Sequence, residues 1–295
     1  MKGYALAMPA PATVVIATRN RWANLERTLT HLTGLPEQPE IVVVDNGSTD
    51  GTPARVRAGF PGVRLIPLPV NRGASARTVG ARLAETPVVA WSDDDSWWEP
   101  GGVDAVARTL EEDPVVALAA ATVLVGPDRQ VDPACLAMAG GARRHGRYRQ
   151  VSGFLACAAA GRRPAVLAAG GFDPDLLIGG EEELLSLDLA AAGWKLVHQP
   201  DAVVCHWPSP QRDATGRRRL EVAHALLVGW HRLPWPSALA RTARLAGASL
   251  RRPRVAPAFG RAARLAGWAA GGRQVVPAKV AAAHLADERA FRRSP

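Results

Sequence analysis

Three consecutive aspartates, Asp93, Asp94 and Asp95, follow a short apolar run (PVVAW, 87–91) after a single serine. Adjacent carboxylates repel one another unless a cation or water neutralises them, and hard divalent ions such as Mg2+ or Mn2+ take oxygen ligands while keeping positions open for a diphosphate. Alternate side chains of an extended segment share a face, so Asp93 and Asp95 are the expected metal pair and Asp94 is expected to face elsewhere, toward a ribose. A solvated acidic loop or a helix N-cap cluster would use the same residues without any ion, and their place after a buried strand argues against that. Asp45, which opens DNGSTDGT after another apolar run, is placed to accept from a nucleobase imide or a ribose hydroxyl, although Gly47 and Gly51 also suit plain turns. Arg77, five residues after Arg72 in NRGASAR at a predicted helix start, suits a phosphate, with surface solvation as the alternative for both arginines.

These groups need a scaffold that brings them to one edge. Short β-branched runs at 13–17 (TVVIA), 40–44 (EIVVV), 63–68 (VRLIPL) and 87–91 (PVVAW) alternate with helical patterns at 24–35 and 73–84. That alternation predicts βα units building an α/β fold with a mostly parallel sheet flanked by helices, and a run at 115–125 extends it. Ligands of open α/β sheets bind at the carboxyl ends of the strands, where this chain carries TRNR (18–21), DNGSTDGT (45–52), NRG (71–73) and SDDD (92–95). From Arg162 the pattern predicts a helix, a loop, a second helix ending at a Gly193 cap, and two short strands finishing near His206. Further on, apolar residues at three- and four-residue spacing (220–227, 238–250 and 262–268), interrupted by Pro234, Pro236, Pro253, Pro257 and Pro277, predict short amphipathic basic helices. The expected division is a catalytic domain over 1–211 and a basic helical region over 212–295.

With 295 residues, 47% hydrophobic and 21% charged, the chain suits one large domain with an appendage and excludes wholesale disorder or a collagen-like architecture. A net charge of +9 invites a nucleic-acid reading, but the charge is lopsided: 17 Lys and Arg face four acids over 212–295, which leaves −4 for 1–211. No nucleic-acid partner is expected on charge alone. Cys135, Cys157 and Cys205 are far apart and show no CxxC spacing, so neither a disulfide framework nor a thiolate metal site is indicated, and a cytoplasmic setting is the expectation. No apolar run approaches the ~20 residues that span a bilayer. The opening MKGYALAMPAPA, broken by Pro9 and Pro11, is too short for a secretory signal.

TVVIATRNR, EIVVVDNGSTDGT, NRGASARTVGARLAETPVVAWSDDD and GGFDPDLLIGGEEELLSLDLAAAGWKL, in this order and spacing, resemble the family 2 glycosyltransferases with a GT-A fold over about residues 12–210. The resemblance implies an inverting, metal-dependent sugar transfer of the hexosyltransferase type from a nucleoside diphosphate sugar, UDP- or dTDP-linked, with the triplet as the family's DxD motif. Thr18, Arg19 and Asp45 match the segments that hold nucleobase and ribose. Gly73 and Arg77 match the next donor-contacting segment, and Asp93 and Asp95 match the metal and diphosphate motif, with Asp94 inside it. Gly180-Glu181-Glu182 aligns with the family's Gly-Glu-Asp when Gly193 anchors the helix end, which puts Glu182 at the position of the catalytic base with Glu181 beside it. The usual base is Asp, and the extra methylene leaves the choice among Glu181, Glu182 and Glu183 open. Negative charge stabilising the first turn of a helix is the competing account of this cluster. His206 falls where many relatives carry a histidine that contacts metal or phosphate, against the alternative of a packed or surface histidine, and Thr78 replaces a common Asn.

The implied reaction is one in-line displacement, in which a carboxylate removes the acceptor proton while an ion stabilises the leaving diphosphate. Trp97 and Trp98, beside the triplet, are expected to stack on sugar or base, whereas Trp91 and Trp194 are expected in the core. The basic region, with Trp230, Trp235 and Trp268, lies peripherally on an anionic membrane surface at the inner face, covers the acceptor side, or is simply a solvated helical face. Acceptors in view are glycans, lipid-linked sugars or small molecules, as in cell-envelope glycan or natural-product glycosylation. Two other readings compete. A nucleotidyltransferase would show a Gly-rich loop near the first strand, which TRNRWANL lacks, and a catalytically silent nucleotide-sugar or membrane-surface binding protein would show no turnover.

Overall fold

In the computed structural model, residues 12–208, 214–250 and 253–291 are described; the start of the chain and the expected boundary at 211/212 lie outside them. The βα series is built from β1 (Ala12–Thr18), α1 (Trp22–Thr33), β2 (Glu40–Asp45), α2 (Thr52–Gly59), β3 (Arg64–Pro67), α3 (Ala76–Leu83) and β4 (Val88–Asp93). Its strands are rich in β-branched residues because both faces of the sheet are covered. Val14, Ile16 and Val43 pack with Leu25 and Leu29 of α1 on one side, and Val15, Val42 and Val44 pack with Ala81 of α3 on the other.

The chain continues through β5 (Ser96–Trp98), α4 (Gly102–Glu112), β6 (Val116–Val125), β7 (Gln130–Val131), α5 (Pro133–Ala139), β8 (Arg144–His145), β9 (Tyr148–Gln150), β10 (Ala159–Arg162), α6 (Arg163–Ala168), α7 (Glu181–Ala191) and β11 (Lys195–His206). The sheet order is β3-β2-β1-β4-β10-β6-β11-β9-β8. β10 is antiparallel to both β4 and β6, and β6 is parallel to β11, so the long strands all run one way and the sheet is mostly parallel, as the sequence predicts. Residues 195–206 form one strand of 12 residues instead of the two expected, with a register shift between His198 and Val203 where Pro200 has no amide to give the ladder.

Among the described residues five α-helices follow: α8 (Ala214–Arg232), α9 (Trp235–Leu250), α10 (Pro257–Arg264), α11 (Ala266–Gly271) and α12 (Ala278–Phe291). Of these, α8 and α12 dock on α7, whose two faces serve two cores. Leu185 and Leu189 pack on the sheet, while Leu184 and Leu187 join Val228, Leu233, Val276 and Ala281 of the C-terminal layer. Arg232 of α8 pairs with Asp188 of α7. Among the described residues no helix is long and apolar enough to cross a membrane.

Candidate active site

Register alone brings the chemistry-bearing residues together. Thr18 pairs with Asp45 across β1 and β2, and Ala17 pairs with Asp93 across β1 and β4, so these residues sit side by side at the carboxyl ends of three parallel strands. β11 ends nearby, its His206 paired with Ser96, the residue after the triplet. Asp45 is only 1% exposed; its Oδ2 accepts from the Ser48 amide at 3.0 Å, whereas its Oδ1 has no hydrogen-bond partner. Leaving a buried acceptor bare costs free energy, and an imide or hydroxyl of a nucleoside would satisfy it. Arg19 is exposed on the loop after β1. Asn20, on the same loop, accepts from the Thr49 amide at 2.7 Å and so ties it to the DNGSTDG segment. Gly73 has φ of +57°, and a Cβ there would collide with the carbonyl oxygen of Leu177, so glycine lets the loop before α3 meet the 171–180 loop.

The triplet straddles the tight turn from β4 to β5. Asp93, Asp95 and His206 each present a ligand atom within 4.8 Å of the others. Two carboxylates and an imidazole form a donor set that suits Mn2+ or Mg2+, so the residues fit the implied ion. Asp93 is paired with Arg77, and Asp95 Oδ2 accepts from Arg21 Nη2 at 2.8 Å, with His206 Nε2 at 3.4 Å from Asp95 Oδ1. Asp94 turns the other way, as its spacing predicts, but into protein: Thr18 Oγ1 donates to it at 3.0 Å and Arg21 Nε at 2.9 Å. Burial pushes its carboxyl up to about 7 against the pull of Arg21, with Asp95 and Asp93 adding to the rise. Asp94 therefore braces the loop after β1, each of its oxygens accepting once from the protein.

α7 begins after Gly179 and Gly180, both at positive φ; a Cβ on Gly180 would lie 2.9 Å from that of His224 on α8. His224 Nδ1 donates to the carbonyls of Gly179 at 2.6 Å and Ile178 at 2.8 Å, which fixes the entry to the helix. The three glutamates of the first turn then part ways. Glu183 faces the C-terminal layer, where Arg241 Nη1 at 2.7 Å and His284 Nε2 at 2.8 Å approach the same oxygen. Burial works to raise its pKa, but Arg241 and His284 overcome it and hold the carboxyl at about 2, a poor proton acceptor at neutral pH. Glu182 Oε1 accepts from the Ala156 amide at 2.8 Å; burial pushes its pKa up against that amide and Arg77, with Asp93 adding to the rise. Glu181 is buried with no hydrogen-bond partner at Oε2, and burial followed by the Glu182 charge raises it to about 8. The two titrate as a pair.

Arg77 links the two halves of the site. Burial works against its charge, yet Asp93, Glu181 and Glu182 outweigh that and raise its pKa, while its buried Nε has no hydrogen-bond partner. The raised pKa of Glu181 has a consequence for stability. Its protonated form favours the fold below its unfolded value of 4.5, and that contribution is lost as pH rises toward about 8. Glu181→Gln is expected to flatten the decline in Tm across this window, read by thermal denaturation at roughly pH 5 and pH 8.

Among the residues singled out from sequence, Thr18, Asp45, Asp93, Asp95 and His206 meet at the strand ends, Gly73 and Arg77 lie at the start of α3, and Glu181 and Glu182 face Arg77. Trp97 and Trp98 do not reach the cleft. They form β5 against β11, with Trp97 stacked on His31 at 4.2 Å and Trp98 Nε1 donating to the Trp91 carbonyl at 3.2 Å, because the turn at the triplet returns the chain into the sheet at once. Trp91 is in the core, as expected. Arg21, which clamps Asp94 and Asp95, was missed, although its place in the TRNR strand end was the available signal. Thr78 accepts from the Phe172 amide at 2.7 Å and donates to its carbonyl at 3.2 Å, so the departure from Asn serves to pin the 171–180 loop.

The sequence matches the family model described as Glycosyl transferase family 2 across residues 13–168, more than half of the chain. The chain belongs to that family. This family 2 glycosyltransferase is 30% identical to the N-acetylglucosaminyl-diphospho-decaprenol L-rhamnosyltransferase of Mycobacterium tuberculosis (strain ATCC 25618 / H37Rv), over 82% of this chain and 94% of the relative. A validoxylamine A glucosyltransferase of Streptomyces hygroscopicus subsp. limoneus is 46% identical over a shorter stretch, 27% of this chain and 19% of the relative. In fold, the transferase is similar to a mannosyltransferase from Pyrobaculum calidifontis solved with GDP-Man and Mn2+, at a TM-score of 0.59 and 23% identity over 99% of this chain and 90% of that one. It is also similar to GalNAc-T7 solved with UDP, GalNAc and Mn2+, at a TM-score of 0.56 and 17% identity over 73% of this chain and 47% of that longer one.

Proposed function

We propose that this glycosyltransferase moves a sugar from a nucleoside diphosphate sugar to an acceptor hydroxyl with inversion, assisted by Mn2+ or Mg2+. The observation that carries the reading is the meeting, around Arg77, of two sets of groups: Asp93, Asp95 and His206 on one side, and the raised-pKa Glu181 and Glu182 on the other. Thr18, Arg19 and the bare Oδ1 of Asp45 receive the nucleoside. Gly73 lets the backbone come close to the donor, and Arg77, with an unused Nε, meets the diphosphate. Asp93, Asp95 and His206 would hold the ion, which supplies charge stabilisation for the leaving diphosphate. Glu182 removes the acceptor proton. A carboxylate whose pKa is raised toward working pH is a better base than an ordinary one, and Arg77 separates it from the aspartates so that the two acids keep distinct roles. Glu181, raised by burial and then by the Glu182 charge, titrates beside it.

The catalytic unit extends to about residue 211, and the helices beyond cover its acceptor side through their packing on α7. The substrate in the mycobacterial relative's name is a sugar diphospho-lipid, which supports a lipid-linked acceptor here, met at the inner face of the membrane. Thermal-shift measurements with UDP-, dTDP- and GDP-sugars, with and without Mn2+, test the donor half. One donor class at about a hundred times its Kd is expected to raise Tm by roughly 5 °C when the ion is present, and Asp95→Asn is expected to remove the shift. Indifference to every nucleotide sugar, with or without the ion, would sink the reading.

A further inference from the structure

Between α8, α9, α10 and α11 lies a cavity of about 370 Å³ walled by Leu226, Leu227, Trp230, Trp235, Phe259 and Ala266, with almost no polar surface. Its walls are held from behind: Trp230 packs edge-on against Trp235 at 5.2 Å and donates from Nε1 to Thr242 Oγ1 at 3.0 Å. Among the described residues the one charged group lining it is Arg273, whose guanidinium lies over the Trp235 ring at 4.5 Å. Trp235 and Leu239, four residues apart on α9, are 58% and 56% exposed, so an apolar lip borders the cavity in the part of the chain that carries the excess positive charge. An apolar recess of this kind stays dry and binds hydrocarbon.

Beyond the cavity wall, toward the loop that opens α7, the neighbouring groups are polar and cationic. Leu227 in its wall is one helical turn from His224, about 5 Å along α8, and His224 touches Gly179 and Gly180 at the start of α7. Burial lowers the pKa of His224, and its Nε2 accepts from Arg261 Nε at 3.3 Å. Arg261 is on α10, which also supplies Phe259 to the cavity, and no carboxylate pairs with it among the described residues. A positive group is therefore joined through His224 to the backbone just ahead of the two glutamates, on the helix that also walls the recess. That order of chemistry matches a molecule whose anionic head sits between a long hydrocarbon tail and a sugar.

We propose that this cavity holds the isoprenoid tail of a lipid diphosphate acceptor, with Arg261 meeting its diphosphate and the sugar directed toward Glu182. This rests on the transferase reading for the acceptor's sugar, but the site itself is tested by binding alone. Geranylgeranyl diphosphate serves as the probe, titrated against intrinsic tryptophan fluorescence with wild type, Ala266→Phe, which fills the recess from an accessible position, and Arg261→Gln, which removes the cation. Both variants are expected to weaken binding about tenfold or more while keeping the wild-type Tm, nucleotide-sugar shift and Mn2+ response, and inorganic diphosphate is expected not to compete. Unchanged affinity in both variants overturns the proposal. So does equally tight capture of phosphatidylglycerol vesicles that Ala266→Phe abolishes, which would make the cavity a bilayer contact, or a dimer on size exclusion that the same variant dissolves, which would make a second copy the occupant. Prenyl diphosphate binding without any response to nucleotide sugars would end the transferase reading and leave this site standing.

Discussion

Glu182→Gln is expected to cut sugar transfer by orders of magnitude while leaving donor binding intact. Glutamine keeps the shape and can still accept from the Ala156 amide, so the loop at 154–158 stays in place, but it cannot take up the acceptor's proton. General-base catalysis contributes about a hundredfold to ten-thousandfold, and kcat is expected to fall within that range with the Kd of the nucleotide sugar unchanged. Nucleoside diphosphate release assayed with a competent acceptor reads the first quantity and thermal shift the second. Glu181→Gln is expected to behave differently. It removes the group beside Glu182 that titrates at about 8, so it should move the pH profile of kcat and leave substantial turnover. Were the two variants to exchange these behaviours, Glu181 would be the base.

The largest effect on stability is expected from Arg241→Ala. The guanidinium is 3% exposed and bridges Glu183 of α7 and Glu288 of α12, while His284 of α12 also reaches Glu183. Removing one member of a buried ionic cluster strands the others, and a loss of about 3–5 kcal/mol is expected from chemical denaturation. A double variant, Arg241→Met with Glu183→Leu, removes both charges and should recover much of that loss. The cluster also sets a direction with pH: Glu183 is held far below its ordinary value, so its contribution is present above the unfolded pKa of 4.5 and is lost as pH falls through the folded value of about 2.

How far the sequence discloses this molecule depends on where each signal resides. The strands of the βα series are legible because their two buried faces are filled by β-branched runs, as in TVVIA and EIVVV, and their ends announce the site through polar residues that no core would keep. β10 is invisible by the same logic: AAGR carries no β-branched residue, yet it lies at the centre of the sheet between β4 and β6. The hairpin at the triplet was equally hidden, since a strand of three residues has too little periodicity to show, and so Trp97 and Trp98 read as loop aromatics when they are core. The sorting of the glutamates could not be read locally either. Adjacent positions of one helical turn differ by about 100° in direction, and the partners that claim Glu183 lie 58 and 101 residues away.

The contact that fastens the C-terminal layer is thus made one residue from the proposed base. Grafting the segment after residue 213 from a homologue, to borrow its acceptor preference, would abandon Glu183 unless the incoming helices supplied an arginine and a histidine to greet it. The proposed donor half and acceptor half of this enzyme are separable on paper but spliced at α7, and any recombination between relatives has to respect that seam.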